Sequence, residues 1–464
     1  MRFVDRVVEG ARLDALAPPG LGVLWGRRRV GKTRLLVEWC RRTGGLYTVA
    51  DASAEPVQRR YLAEAVAARV PGFADVTYPD WRAWLAALAR EASRGALGGP
   101  LVLDEVPYLV ASSPPLASLL QAFVDHEGRE AGLVLVLAGS SRHMMHGLAL
   151  DADAPLFGRA RVAFEVLPLP AGWLREALGL GRPEEAVEAH AAWGGIPWYW
   201  ELAQPFGRRL EAAVDGLVLD PAGPLHHEPD RLLADEQPGA AALRPLLDAI
   251  GAGASRVSEI AGRVGWPATS LGRPLGRLVE LGLVRREIPF GESERTGRRS
   301  LYRIADPFLR LWFRVVAPRR GLLVASPPAV RLAVWRRARG ALVSETWEEL
   351  CRSAVPLLGE RLGPAFGPAA RWWRGGAPEW DVVAESLDGS AVLLGECKWS
   401  GRPPDARTLE RWRGELLAKG TPVVPGLAGR RVVHALFVPR RASGRRPVGP
   451  CVVIDARDVL GVLR

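Results

Sequence analysis

No stretch of the 464-residue chain restricts its fold as tightly as LGVLWGRRRVGKTRLLVEW, residues 21–39. Leu21 to Trp25 is an unbroken apolar run and predicts a short buried strand, while Thr33 to Cys40 has the spacing of an amphipathic helix. Between them Gly26 and Gly31 enclose Arg27, Arg28, Arg29 and Val30, and Lys32, Thr33 and Arg34 follow, which is the spacing G-x-x-x-x-G-K-[ST]. A glycine-bounded turn from strand into helix aims backbone N–H groups and the helix N-terminus at one point, a geometry suited to phosphate. Lys32 then reaches the β- and γ-phosphates of a nucleotide, and the Thr33 hydroxyl ligates Mg²⁺. The pattern predicts an α/β domain built on a parallel sheet.

Two further apolar runs supply partners for this loop. GGPLVLDEVPYL ends in Asp104 and Glu105, as a buried parallel strand delivering acids at its C-terminal edge does. Asp104 is expected to hold Mg²⁺ through water, and Glu105 to orient and deprotonate the attacking water. GLVLVLAGSSRHMM is a second such strand and carries Ser140, Ser141 and Arg142 to the same edge, near the γ-phosphate.

Arginine dominates the basic residues. Only Lys32, Lys398 and Lys419 among the 62 are lysine, which singles out positions where a compact ammonium suits and a planar guanidinium does not. Net charge of +11 and a pI near 10.2 favour polyanionic partners such as nucleic acid. No apolar run reaches the ~18 residues of a membrane span. The N-terminus lacks a signal-peptide core. Four scattered cysteines without a CxxC pair fit a reducing cytoplasm and argue against a disulfide framework or a zinc site.

From residue 236 the pattern is helix, short helix, turn, longer helix, then two strands, the order of a winged helix-turn-helix. Its recognition-type helix is expected over Thr269–Leu281, with Arg273 and Arg277 on one face for phosphates. The wing contributes Arg295, Arg298 and Arg299. His226 and His227 fall in a turn-rich stretch and read as solvated surface. APRRGLLVASPPAVR reads as a linker ending near residue 329. An amphipathic helix follows, with Val343, Trp347, Leu350 and Ala354 on its apolar face and Glu345, Glu348 and Glu349 as its acids. Strands are expected over Glu379–Ala384 and Ala391–Trp399. Glu396 and Lys398, two apart, share one side of the second strand, and Asp381 lies across from them in an antiparallel hairpin. Two carboxylates and one ammonium at a strand end suit Mg²⁺ binding and water activation beside a phosphodiester. Lys419, after a helix in ELLAKGTPV, shows no comparable role.

Residues 1–220 resemble the archaeal/bacterial P-loop ATPase family of the AAA+ and STAND superclass. FVDRVVEGARLDAL is similar to its leading motif, DEVPYL to its Walker B segment, AGSS to sensor 1, and GGIPWYW to the lid element. The resemblance implies ATP and Mg²⁺ as cofactors and Pro197 packed near the nucleotide base. PLFGRARVAFEVLPL is similar to the arginine-bearing segment, so Arg159 or Arg161 is expected at the γ-phosphate of its own or a neighbouring subunit's nucleotide; the latter makes a homo-oligomer. Residues 330–464 resemble the PD-(D/E)XK nuclease superfamily, with Asp381, Glu396 and Lys398 at the motif positions and Glu348 as the auxiliary metal-binding acid, although Trp380 stands where that pattern has proline. The expected architecture is a P-loop ATPase core over 1–168, a helical lid over 169–235, a winged helix over 236–318 and a restriction-endonuclease-like α/β domain over 330–464. The function expected from it is ATP binding and hydrolysis in the cytoplasm, with binding and Mg-dependent cleavage of nucleic acid, DNA foremost. The rivals are an ATP-dependent signalling switch and a DNA-binding regulator, each with a non-catalytic C-terminal domain.

Overall fold

The computed structural model describes residues 3–236, 240–293, 299–401, 403–424, 427, 429–441 and 451–464. The chain forms two compact units, one from Asp5–Pro168 with Ile196–Trp198, the other from the remaining residues. Ile196–Trp198, within the stretch expected as the lid, belong to the first unit.

In the first unit, β1 (Gly20–Trp25), β2 (Leu46–Val49), β3 (Leu101–Asp104), β4 (Val134–Gly139) and β5 (Val162–Glu165) form one parallel sheet in the order β2-β3-β4-β1-β5. Its central strands are buried on both faces, which is why LVL and VLVLA run apolar without alternation. Leu21, Val23, Leu103, Leu135 and Leu137 meet helix residues Trp84, Leu88 and Leu120 in its core. The chain leaves β1 between its neighbours β4 and β5 and turns into the helix Lys32–Thr43. Parallel pairing thus brings the tips of β1, β3 and β4 to one edge.

In the second unit, a run of helices leads to Arg244–Gly251, Val257–Val264 and Gly272–Glu280, then to the antiparallel pair β6 (Val284–Glu287) and β7 (Leu301–Ile304). The stretch expected as a linker is helical instead. Residues Arg320–Ala325 form one helix, and Pro328–Ala354 form a continuous helix of 27 residues. Proline in the first turn of a helix starts it rather than breaks it, because that N–H has no intrahelical partner anyway. A mixed sheet in the order β12-β11-β10-β9-β8 closes the unit. Its strands are β8 (Ala370–Trp372), β9 (Trp380–Glu385), β10 (Ala391–Cys397), β11 (Arg431–Val438) and β12 (Cys451–Asp455). Strands β8, β9 and β10 are antiparallel, whereas β10, β11 and β12 are parallel, with the helix Ala406–Ala418 crossing between β10 and β11.

The long helix divides its acids between two tasks. Val343, Trp347, Leu350 and Ala354 are buried as expected. Glu345 pairs with Arg303 (3.1 Å), Arg310 (3.4 Å) and Arg314 (2.9 Å), and Glu349 pairs with Arg285 and Arg310 (2.6 Å). Burial opposes the charge on Glu345, but Arg310, Arg314 and Arg303 overcome it and hold its carboxyl down at about 2. His226 also departs from expectation. It is 1 % exposed, with Nδ1 2.9 Å from the Val218 carbonyl, and its own carbonyl accepts from the Trp312 indole. His227 alone lies at the surface.

Candidate functional site

The edge of the parallel sheet assembles the first constellation. Gly26 has φ +156, and a Cβ there would stand 2.5 Å from the Val166 carbonyl oxygen, so the turn out of β1 requires glycine. Gly31, φ +98, caps the following helix in a conformation that side chains disfavour. Arg29 between them is also left-handed, φ +66, and its guanidinium stacks 3.7 Å from the Trp198 ring. Val30 is fully buried, Arg28 reaches the Tyr108 hydroxyl at 3.1 Å, and Arg27 and Arg34 flank the loop. Lys32, 5 % exposed, folds over the loop and donates to the carbonyls of Gly26 (2.7 Å) and Arg27 (3.4 Å). Its ammonium is therefore held above the cradle of N–H groups.

Thr33 Oγ1 donates to Asp104 Oδ2 at 2.9 Å, and the Tyr47 hydroxyl donates to the same oxygen at 2.8 Å. Asp104 is completely buried, and its Oδ1 accepts the Glu105 N–H. Burial and the Asp104 charge push the Tyr47 phenol up from its ordinary value. A hydroxyl and a carboxylate facing each other beside an ammonium suit an octahedral, oxygen-loving ion such as Mg²⁺. Glu105 itself is left-handed, φ +56, at the start of a helix, and its Oε2 accepts from the Ser140 N–H (3.1 Å) and hydroxyl (2.7 Å). Ser140 thus aims the carboxylate expected to act as base.

Pro197 lies beside the phosphate loop, its Cγ 3.6 Å from where a Gly31 Cβ would be. Arg6, buried in the leading motif, donates to the carbonyls of Leu167 (2.8 Å) and Val30 (2.7 Å). Arg159 is not at this edge. Its guanidinium forms a bidentate pair with Asp125, 2.8 Å and 3.0 Å from Nε, at the opposite end of the sheet, where the Arg161 N–H bonds the Leu21 carbonyl. Leu21 stands four residue steps before Trp25, about 13 Å at a rise of ~3.3 Å per residue, so both arginines stand away from this chain's own loop.

The mixed sheet assembles the second constellation. The register that sets Gly395 opposite Val382 brings Asp381 and Glu396 together across β9 and β10. Asp381 Oδ2 accepts the Cys397 N–H at 2.9 Å, and Lys398 Nζ donates to Glu396 Oε1 at 3.0 Å. Glu348 is the one acid of the long helix that turns to this sheet. Burial, reinforced by Asp381, pushes its carboxyl up to about 7, and burial with Glu396 raises Asp381. Arg352 lies 3.7 Å from Glu348 and donates to the Asp381 carbonyl at 3.0 Å. Burial opposes the Lys398 charge, but Glu396 prevails and raises its pKa. Cys351 and Cys397 hydrogen-bond each other close by, both pushed up by burial.

Lys419 overturns its expected silence. Its Nζ donates to Glu396 Oε2 and to the Glu379 carbonyl, the latter at 2.8 Å, so all three lysines of the chain stand in the two constellations. No local signal in ELLAKGTPV marks it; its scarcity is the only clue. The metal set expected from the sequence is Glu348, Asp381 and Glu396. Among the described residues no three acidic, imidazole or thiol side chains gather to hold a metal ion. Both Glu396 oxygens carry ammonium groups, and one Asp381 oxygen carries an N–H.

A cavity of about 430 Å³ is lined by Arg285, Arg286, Arg352 and Arg371 together with Glu287 and Glu349, which pair with Arg285. On the helix Gly272–Glu280, Arg273 is exposed and Arg277 pairs with Glu280 at 3.1 Å. Arg299 pairs with Glu292, and Arg295 and Arg298 lie outside the described residues.

A family of archaea bacterial proteins of unknown function, DUF234, matches residues 312–409, a stretch that includes Glu348, Asp381, Glu396 and Lys398 but not Lys419. An uncharacterized protein of Methanocaldococcus jannaschii is 26% identical over 441 residues, 94% of each chain. Among solved structures, the Walker-type ATPase PABY2304 of Pyrococcus abyssi is similar at 21% identity and a TM-score of 0.49, over 68% of this chain and 96% of that one. The Aeropyrum pernix ORC2 protein is similar at 15% identity and a TM-score of 0.42, over 73% and 95%. No helix of the described residues is long and apolar enough to cross a membrane.

Proposed function

We propose that the chain binds ATP at the loop Gly26–Thr33 and hydrolyses it. The observation that carries this reading is the unbroken line from Thr33 through Asp104 and Glu105 to Ser140, beside the Lys32 ammonium. The loop N–H groups and Lys32 bind the phosphates, and Thr33 and Asp104 would hold Mg²⁺, which would supply charge neutralisation. Glu105 takes the proton of the attacking water, and Ser140 fixes the carboxylate that does so. Pro197 and Trp198 border the loop. Steady-state ATP turnover by the full chain tests the reading, with Lys32→Ala expected to lose nucleotide binding.

A second activity is proposed for the mixed sheet, cleavage of a nucleic-acid phosphodiester, preferentially DNA. It is favoured by Asp381, Glu396 and Lys398 converging on one strand end. Antiparallel β8–β10 and parallel β10–β12, preceded by the long helix, suit a restriction-endonuclease-like domain. The helices and the β6–β7 pair before them suit a winged helix carrying Arg273 into the phosphate backbone. In this arrangement Lys398 offsets charge on the phosphate, and Asp381 and Glu396 act on water. The test is cleavage of labelled DNA and RNA with Mg²⁺ or Mn²⁺ by wild type and Lys398→Arg. The variant keeps the charge but spreads it over a plane, and a loss of roughly a hundredfold is expected for a transition-state contact of this type. ATP turnover without cleavage under any condition identifies a switch or regulator instead.

A further inference from the structure

We infer that Lys419 is the resident cation of the C-terminal site and competes with divalent metal for Glu396. The inference rests on the phosphodiester reading for the reason a metal matters there, but on geometry for the competition itself. Glu396 is 8 % exposed and has two oxygens. Lys398 takes Oε1 from two residues along the same strand, at 3.0 Å. Lys419 takes Oε2 from the end of the helix Ala406–Ala418. The same ammonium donates to the Glu379 carbonyl and lies 5.3 Å from the centre of the Trp380 ring, so contacts with Glu396, Glu379 and Trp380 position it.

A carboxylate oxygen that ligates Mg²⁺ directly stands at about 2.0–2.1 Å from it. Two positive charges on one carboxylate oxygen repel, so an ammonium seated there opposes a metal ion. Metal entry at Glu396 therefore requires one lysine to leave. Lys398 is tied to β10 by its neighbours, and its N–H bonds the Phe437 carbonyl in the sheet. Lys419 hangs from a helix end by a flexible stem and leaves without disturbing a strand. A guanidinium in its place would span both the Glu396 oxygen and the carbonyl of Glu379 with a rigid fork, which is a reason for lysine at this position. The site is thus closed to metal while Lys419 is seated.

The experiment measures Mn²⁺ binding to the nucleotide-free full chain by electron paramagnetic resonance, in an Asp104→Asn background that removes the N-terminal acid. Lys419→Met keeps the stem over Trp380, and Lys419→Ala removes it. Either variant is expected to bind one Mn²⁺ at least tenfold more tightly than its parent, and adding Glu396→Gln is expected to abolish that ion. Circular dichroism and melting temperature identify which variants fold, and Lys419→Met is the form chosen to do so. Unchanged or weaker Mn²⁺ binding by a folded lysine variant overturns the inference. Tighter binding with no cleavage by any form upholds the competition and removes the phosphodiester reading, so the two fail separately.

Discussion

Replacing Ser140 by alanine probes the base of ATP hydrolysis without touching the base itself. The Ser140 hydroxyl donates to Glu105 Oε2 at 2.7 Å, and the Ser140 N–H donates to the same oxygen at 3.1 Å. Alanine removes the first bond and keeps the second. A hydrogen bond to an ionised group contributes roughly 1.5–3 kcal/mol, which at about 1.4 kcal/mol per factor of ten corresponds to roughly 10- to 150-fold. Because the Ser140 hydroxyl meets Glu105 and not the phosphate loop, the loss is expected in kcat, with KM for ATP nearly unchanged. Glu105→Gln keeps the shape and removes the proton acceptor, so kcat is expected to fall by about 10²–10⁴ while ATP still binds. In the Glu105→Gln background, Ser140→Ala then has little left to remove, since groups acting as one unit are non-additive. Coupled phosphate-release kinetics on the four proteins give the full cycle. Wild-type kcat in Ser140→Ala, or a double variant whose losses simply multiply, refutes the positioning role.

Lys32→Arg, though it conserves charge, is expected to bind ATP as poorly as Lys32→Ala, because the 5 % exposed ammonium sits among loop carbonyls with no room for a planar fork; fluorescent-nucleotide titration checks it. Glu345→Gln leaves three arginines around a neutral amide and is expected to cost about 3–5 kcal/mol in denaturant unfolding. Its carboxyl is held at about 2 in the fold, below its ordinary value, so the stability it contributes is present above about pH 4.5 and lost as pH falls toward 2. Wild type should therefore lose stability across that window more steeply than Glu345→Gln. Arg273→Glu with Arg277→Glu is expected to weaken binding of unrelated DNA sequences alike and to reduce the salt slope by roughly one per lost phosphate contact, measured by fluorescence anisotropy.

The phosphate loop was legible because its chemistry is local: two glycines, a lysine and a threonine at fixed spacing determine where the N–H groups point. Asp381, Glu396 and Lys398 were legible for a similar reason, since a two-residue period and one tight turn set their register. What stayed hidden depends on contacts between distant segments. Tyr47 lies on β2, 57 residues before the Asp104 it bonds. Lys419 reaches back 23 residues to Glu396 across a crossover that no pattern specifies. Arg159 looked poised for a phosphate because its neighbours resemble a motif, yet a nearby aspartate claims it. The helix from Pro328 was concealed by the prolines that open it, and His226 by a polar neighbourhood that folds inward around Trp312.

Arg310 bears on how this protein can be dissected. It is 1 % exposed, and the carboxylates that neutralise it, Glu345 and Glu349, come from beyond residue 330. A fragment ending at residue 330 strands a buried guanidinium, and the complementary fragment strands two glutamates, at several kcal/mol apiece. The C-terminal segment is thus not a cassette that can be excised, grafted or exchanged at the proline-rich stretch that looks most like a seam. Any truncation meant to yield a soluble piece, and any recombination that shuffled this chain with a relative, has to carry residues on both sides of that stretch together.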